Sequence, residues 1–435
     1  MRDEHIQKQE AMNRPGEEAE EKLLLPLPTW KLWYTMIILY LLYFLDFATR
    51  AVISPMFPIL KQEMGLSDTQ LGWLSTIVLA MVSLLAIPLS YFIDRWSRSK
   101  MISLMSFVWS AGSFFSGLSN TFTQLLITRG ILGVGEASFA SAGQSMIMAS
   151  IKKNRRATVT GIWTTATSLG MAFGMLVGGF VATKYGWRSA FIVVAIPGIL
   201  LGMLAWFLPD FKTQIKRANS ESEQDVGFIE NLKELAKNKT LVTLCVSFGL
   251  VYFFNMTLIY WLPSYFIRYM GMSIAQAGAM TAGVLVTALI AAPLGGFIGD
   301  RVSRRKAQNK VLLCLISVVA SIVTFALSMI LDIWLLFFVV TFFMFLYIPV
   351  QQIVCQEIVP VFQRATAYGI YIFSMFFLGG LWGPAVTGMI SDAYSLRVAF
   401  WVNGVILLFA SVGYLIMYRS YLADYERARR LESEV

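Results

Sequence analysis

Apolar segments of about 20 residues, enough to cross a bilayer as a helix, recur twelve times along this chain, each set off by a polar or Gly/Pro break. The expected spans are 32–57, 69–93, 101–119, 122–149, 157–183, 188–208, 240–267, 273–299, 309–329, 333–356, 365–390 and 396–418. In hydrocarbon every backbone N–H and C=O must find a partner within the protein, which leaves helices or a closed barrel. Segments this long exceed the roughly 10 residues of a barrel strand. The fold class follows: an all-α membrane protein with twelve transmembrane helices. Composition agrees, because 14% charged residues falls well short of the ~25% usual in soluble domains.

The net charge of +9 raises the question of nucleic acid, and the placement of the basic residues answers it. With the N-terminus in the cytosol, 28 of the 35 Lys and Arg fall on the inner side. The outer loops hold five, namely Lys61, Lys184, Arg188, Arg268 and Arg397. The positive-inside rule then puts both termini in the cytosol of a cell (inner) membrane, and the basic residues act as topology signals beside anionic lipid heads. No nucleic-acid partner is expected. Cys245, Cys314 and Cys355 all lie in apolar runs without a CxxC or a Cys/His cluster, so neither a disulfide framework nor a metal site is indicated. The single histidine, His5, is in the N-terminal region, so a proton relay within the membrane must use carboxylates.

Residues 1–30 read as a disordered cytosolic tail, 31–208 as one six-helix unit, 209–239 as a linker, 240–418 as a second unit, and 419–435 as a cytosolic tail. In the linker, Phe228, Ile229, Leu232 and Leu235 recur at helical spacing among Lys233, Glu234, Lys237 and Lys239. That pattern suits a short amphipathic helix on the inner membrane surface.

The fourth span, LITRGILGVGEAS, holds Arg129 and Glu136 seven residues apart, on one face of a helix. The first span holds Asp46 and Arg50. A charge at membrane depth costs about 2.5–3.5 kcal/mol even on insertion scales, so it should meet a partner or a water-filled cavity. Either a functional site or a buried structural ion pair satisfies that requirement. The helical rise places Asp46 between Arg129 and Glu136 in height and Arg50 near Arg129, with Glu136 near mid-membrane and without an arginine at its level.

The two units repeat each other at an offset near 208. Tyr43 to Asp46 answers to Tyr252 to Asn255, Met64-Gly65-Leu66-Ser67 to Met270-Gly271-Met272-Ser273, and Asp94-Arg95 to Asp300-Arg301. Gly170 and Gly174 match Gly379 and Gly383. Duplicated units of this kind mark transporters that rock one half against the other.

The loop Asp94-Arg95-Trp96-Ser97-Arg98 and its partner Gly296-x-x-x-Asp300-Arg301-Val302-Ser303-Arg304 resemble the signature loop of the major facilitator superfamily. Ser90 stands for its first glycine in the N-terminal copy, and Ser97 and Ser303 for its second. The resemblance implies two pseudo-symmetric six-helix bundles, with Asp94, Arg95, Arg98, Asp300, Arg301 and Arg304 as a conformational lock. The fifth-span glycines 161, 170, 174, 178 and 179 resemble the family's antiporter motif except that Met175 replaces its proline. Helix packing through small residues explains the same pattern. GVGEAS with Arg129 ahead of it is similar to the spinster-like branch and to the organic anion:cation symporters. The passages 65–75, 260–278 and 363–380 resemble the spinster-like branch. Phe47 stands where both branches place an arginine, which here comes one turn later as Arg50.

The expected activity is secondary active transport of an organic or amphipathic anion by alternating access, coupled to protons. Glu136 is the expected coupling carboxyl, Asp46 a gate that pairs with Arg129 or releases it, and Arg50 or Arg129 the anion ligand. Tyr252, Asn255, Trp261, Tyr347, Gln351 and Tyr371 are the candidates for the substrate body. Lipid-type export or uniport, and a ligand-binding receptor on the same fold, remain alternatives. An enzyme is not expected, because no nucleophile–base pair, metal cluster or phosphate-cradling loop is present. No cofactor beyond the coupling ion, taken as H+, is anticipated. The expected partners are a small-molecule or lipid-like anion and the bilayer, with the chain a monomer.

Overall fold

The structure is a computed structural model that describes residues 28–137, 139–151, 153–209 and 228–433. The N-terminal half runs through α1 (Thr29–Ala51), a 3-10 turn (Ser54–Met56), α2 (Phe57–Met64), α3 (Asp68–Arg95), α4 (Arg98–Gly117), α5 (Phe122–Glu136), α6 (Phe139–Ser150), α7 (Lys153–Tyr185) and α8 (Trp187–Ala205). After α9 (Phe228–Lys237), the C-terminal half comprises α10 (Lys239–Met270), α11 (Ile274–Val286), α12 (Ala288–Ser303), α13 (Asn309–Leu331), α14 (Leu336–Leu346) and α15 (Ile348–Glu357). It closes with α16 (Arg364–Ser374), a π turn (Met375–Gly380), α17 (Gly383–Ala393) and α18 (Leu396–Ser433).

Ten helical segments among the described residues are long and apolar enough to span a membrane. The third and fourth expected spans fall short of that measure for identifiable reasons. α4 carries a serine stripe, and Ser103, Ser106 and Ser113 donate to the carbonyls of Gly202, Gly198 and Phe191 on α8. Small polar residues that bond to a neighbouring backbone lower hydropathy while tightening helix packing. The fourth span is divided between α5 and α6 immediately after Glu136.

The fifth-span glycines act as packing surfaces. A methyl group on Gly170, Gly174 or Gly178 would collide with the carbonyl oxygens of Phe44, Ala48 and Val52 on or just past α1. That regular contact draws α7 against α1 and satisfies the packing explanation of the motif. In the second half, Gly379 and Gly383 meet the backbone of α10 in the same manner, at Gly249 and Phe253.

The linker helix and the C-terminal segment both pack on the second half. α9 forms, but Leu235 is buried against the C-terminal half, Glu234 accepts from Gln363, and Asn238 donates to Ile358 O. The helix is therefore docked on the protein at this end. The chain after 418 continues α18 as an unbroken helix, with Glu432 paired to Arg364 at 2.8 Å. The 1–30 tail falls almost wholly outside the described residues.

Candidate functional site

The C-terminal end of α1 and α5 bring four charges together, and all four are nearly or completely buried. Arg50 is the hub. Its Nε donates to Glu136 Oε2 at 2.6 Å and its Nη2 to Asp46 Oδ1 at 3.0 Å, while its guanidinium lies 4.7 Å over the Phe47 ring. Thr49 donates its hydroxyl to Glu136 Oε1 at 3.2 Å. Asp46 and Glu136 thus share one guanidinium, each through a single oxygen. Asp46 Oδ2 is buried without a donor.

Arg129 does something different. It is fully buried, and its Nε, Nη1 and Nη2 donate to the carbonyls of Leu74, Thr49 and Arg50 at 3.3, 3.0 and 3.2 Å. α1 ends at Ala51, so its last carbonyls lack helical partners and carry the negative end of the helix dipole. Arg129 caps them and ties α1, α3 and α5 together.

One expectation is corrected. In this conformation Asp46 pairs with Arg50 and is apart from Arg129, whose three nitrogens each donate to a backbone carbonyl. Glu136 does have an arginine at its level. Helical side chains point back toward the N-terminus, so Arg50 reaches down one turn from its Cα to both carboxylates. Height reckoned from Cα positions alone misses this.

The C-terminal half supplies no charge to the cluster. Tyr252 and Tyr260 on α10 are near enough to feel Arg50, as is Tyr43. Tyr252 is half-buried, edge-on to Phe376. Asn255 is 8% exposed, has no hydrogen-bond partner among the described residues, and lines a small cavity with Thr281 and Thr341. The other four candidates turn inward. Trp261 is fully buried, with Nε1–H on Pro384 O at 3.0 Å. Gln351 donates to the Tyr371 hydroxyl at 2.9 Å and accepts from Tyr414, which Tyr347 packs against edge-on. All four side chains are buried, so Trp261, Tyr347, Gln351 and Tyr371 form core and not a substrate-facing surface in this conformation.

The loop residues separate similarly. Asp300, Arg301 and Arg304 are exposed and make no ion pair among the described residues. Arg98 is buried, and the side chains of Asp94 and Arg95 lie outside the described residues. At the opposite end the halves are clamped. Asp68 receives Arg268 at 2.5 and 2.7 Å, Lys61 at 2.7 Å and Ser391 at 2.5 Å. This clamp was absent from the sequence-derived site residues, although Asp68 lies within the GLSDTQLGWLS passage. Its partners are distant in sequence and no periodicity links them.

This architecture matches the Major Facilitator Superfamily over residues 39–384. The chain belongs to that family. A hexuronate transporter of Bacillus subtilis is 26% identical over 87% of this chain and 92% of its own length. The sphingosine-1-phosphate transporter SPNS2 of Xenopus tropicalis is 25% identical over 89% of this chain and 82% of its own. Among solved structures, an inward-facing, unoccupied bacterial homologue of the lysosomal transporter spinster superposes with a TM-score of 0.80. It is 23% identical and covers 92% of this chain and 99% of that one, a likeness that establishes the fold. The twelve-helix, two-bundle arrangement of this superfamily is thus the fold of this chain, an integral multi-pass membrane protein whose relatives are transporters.

Proposed function

We propose that this chain is a secondary active transporter that moves an organic anion together with a proton, by alternating access. The observation that carries the proposal is Arg50 held between Asp46 and Glu136, with a buried Asp46 oxygen left without a donor. Two arginines and two carboxylates balance when all are ionised. One proton on the carboxyl pair leaves the cluster with a single positive charge, which a substrate anion cancels. Breaking a buried pair without a replacement is costly, so proton and anion arrive and leave together. Glu136 is the coupling carboxyl, Asp46 the partner that shares its proton, and Arg50 the anion ligand. Arg129 fixes the end of α1.

The surroundings favour an anion with an apolar body. Tyr43 stacks on Trp163 at 4.3 Å with Phe139 beside it, and Phe47 lies under Arg50. Across the interface stand Tyr252 and Tyr368, both partly open. The amide of Gln351 is already engaged by Tyr371 and Tyr414. The lipid-like substrate of the SPNS2 relative fits this lining better than the hexuronate of the bacterial one. The protein acts as a monomer in the cell membrane with both termini cytosolic.

The test is transport by full-length protein in proteoliposomes, with a panel of sugar acids, aromatic carboxylates and lysophospholipids and an imposed proton gradient. Gradient-dependent accumulation that Glu136→Gln reduces to background, while substrate counterflow persists, is the expected result. Undiminished pH-driven accumulation in Glu136→Gln rejects the coupling assignment. Binding without flux for every substrate rejects transport in favour of a receptor.

A further inference from the structure

Every hydrogen bond that joins the two bundles among the described residues lies toward the end that carries Asp68. Ser54 donates to Ile259 O and Tyr260 O at 2.9 and 2.8 Å, and Thr76 donates to Leu381 O at 3.0 Å. Asp392 places both carboxylate oxygens on the N-terminus of α3, accepting from Asp68 N at 2.9 Å and Thr69 N at 2.7 Å. An anion there meets unpaired amides and the positive end of the helix dipole.

The apolar part of the same closure follows the internal repeat. Gly72 on α3 abuts Pro384 and Ala385 of α17, and Gly278 on α11 abuts Met175 and Gly179 of α7. Gly388 on α17 abuts Asp68 and Thr69, and Gly179 on α7 abuts Ile274 and Ala275. Gly72 corresponds to Gly278 in the repeat, Gly179 to Gly388, and Met175 to Pro384. One contact is thus made twice, by four glycines whose missing Cβ lets backbone meet backbone.

The two copies are not equal. A methyl group on Gly179 would stand 3.1 Å from Ile274 O and one on Gly278 2.7 Å from Met175 O, whereas on Gly72 or Gly388 it would overlap the facing carbonyl oxygen more deeply. Of the two glycine contacts, the α3–α17 one alone carries polar links of its own, Asp68–Ser391, the Asp392 cap and Thr76–Leu381, while the Ser54 bonds go to α10. Arg268, from the end of α10, completes it. Between α7 and α11 no hydrogen bond is present among the described residues.

We infer that this end closes through a symmetric pair of glycine contacts with a latch on one side only, the α3–α17 side, and that Asp68 is the keystone of that latch. Without the Asp68 charge, Arg268 and Lys61 face each other as like charges. The α7–α11 contact has only shape to hold it, so it follows the latch. This inference rests on the alternating-access reading above and adds which residues set the resting state.

Distances between spin labels on full-length protein in lipid nanodiscs test it. One pair, Gln62→Cys with Tyr394→Cys, reports the latched end, and another, Trp96→Cys with Arg305→Cys, reports the opposite end. All four positions are exposed, and the native cysteines are buried. Asp68→Asn should lengthen the 62–394 distance and shorten the 96–305 distance, moving the closed-to-open ratio by about tenfold or more. Gly72→Ala and Gly388→Ala should act in the same direction and Gly179→Ala less. Asp68→Asn adds no bulk, so it remains informative if a glycine variant fails to fold. Unchanged distances in Asp68→Asn overturn the latch, as does an effect of Gly179→Ala equal to that of Gly72→Ala. Distances that shift while no panel substrate moves leave the latch standing and reject transport instead.

Discussion

The two halves share a fold but treat buried polarity in opposite ways. In the first half, Asp46, Arg50, Arg129 and Glu136 place four formal charges around one point. In the second, Gln351, Tyr371 and Tyr414 bond to each other, and Asn403 donates to Thr387, which pairs with Thr257, all without a charge. The second network is neutral, and Asn403 Oδ1, though buried without a donor, carries no charge. A cluster of four charges responds to any proton or ion that reaches it. Duplication supplied the scaffold twice, and only one copy holds a site that can change state.

The sharpest way to break that contrast is to remove its hub. Arg50→Ala leaves two carboxyls buried without their cation, so a loss of about 3–5 kcal/mol is expected. It should show as a much lower melting temperature in detergent and absent transport. Wild-type melting in this variant would mean the first half is no more charge-dependent than the second. Glu136→Gln comes next, with coupling lost but the fold retained, since the amide can still accept from Arg50.

Substitution in the neutral network should reverse the pattern. Gln351→Leu strands two tyrosine hydroxyls and should cost about 1–3 kcal/mol of stability, with the KM for substrate unchanged. Adding Tyr371→Phe and Tyr414→Phe should recover most of that loss, because replacing all partners removes the unsatisfied groups. A raised KM in Gln351→Leu would return this residue to the substrate site. The smallest effect is expected at Ser54, whose hydroxyl crosses between the halves. Ser54→Ala should cost about 0.5–1.5 kcal/mol and shift the 62–394 distance only slightly.

Much of this was legible in the residues themselves. Bilayer thickness forces apolar runs to be helices, so the spans follow from length and hydropathy alone. The repeat of Asp94-Arg95 as Asp300-Arg301 announces two related halves. The cost of burying charge picks out Asp46, Arg50, Arg129 and Glu136 without any structure. The aromatic and amide candidates of the second half were less legible, because an aromatic residue on a helix face reads the same whether it faces a cavity or a neighbour. Trp261 and Tyr347 turned out to face neighbours. The Asp68 clamp was invisible for another reason: Arg268 and Ser391 reach it from 200 and 323 residues away.

The sequence by itself determined the membrane class, the duplicated plan and which charges must find partners, because these depend on local composition and the price of desolvation. Tertiary structure decided which charge meets which. Arg50 bends back one turn to reach Glu136, while Arg129 is taken up by the carbonyls at the end of α1. Pairing depends on side-chain direction and on which helix ends need capping, and neither is written in the spacing of residues along the chain.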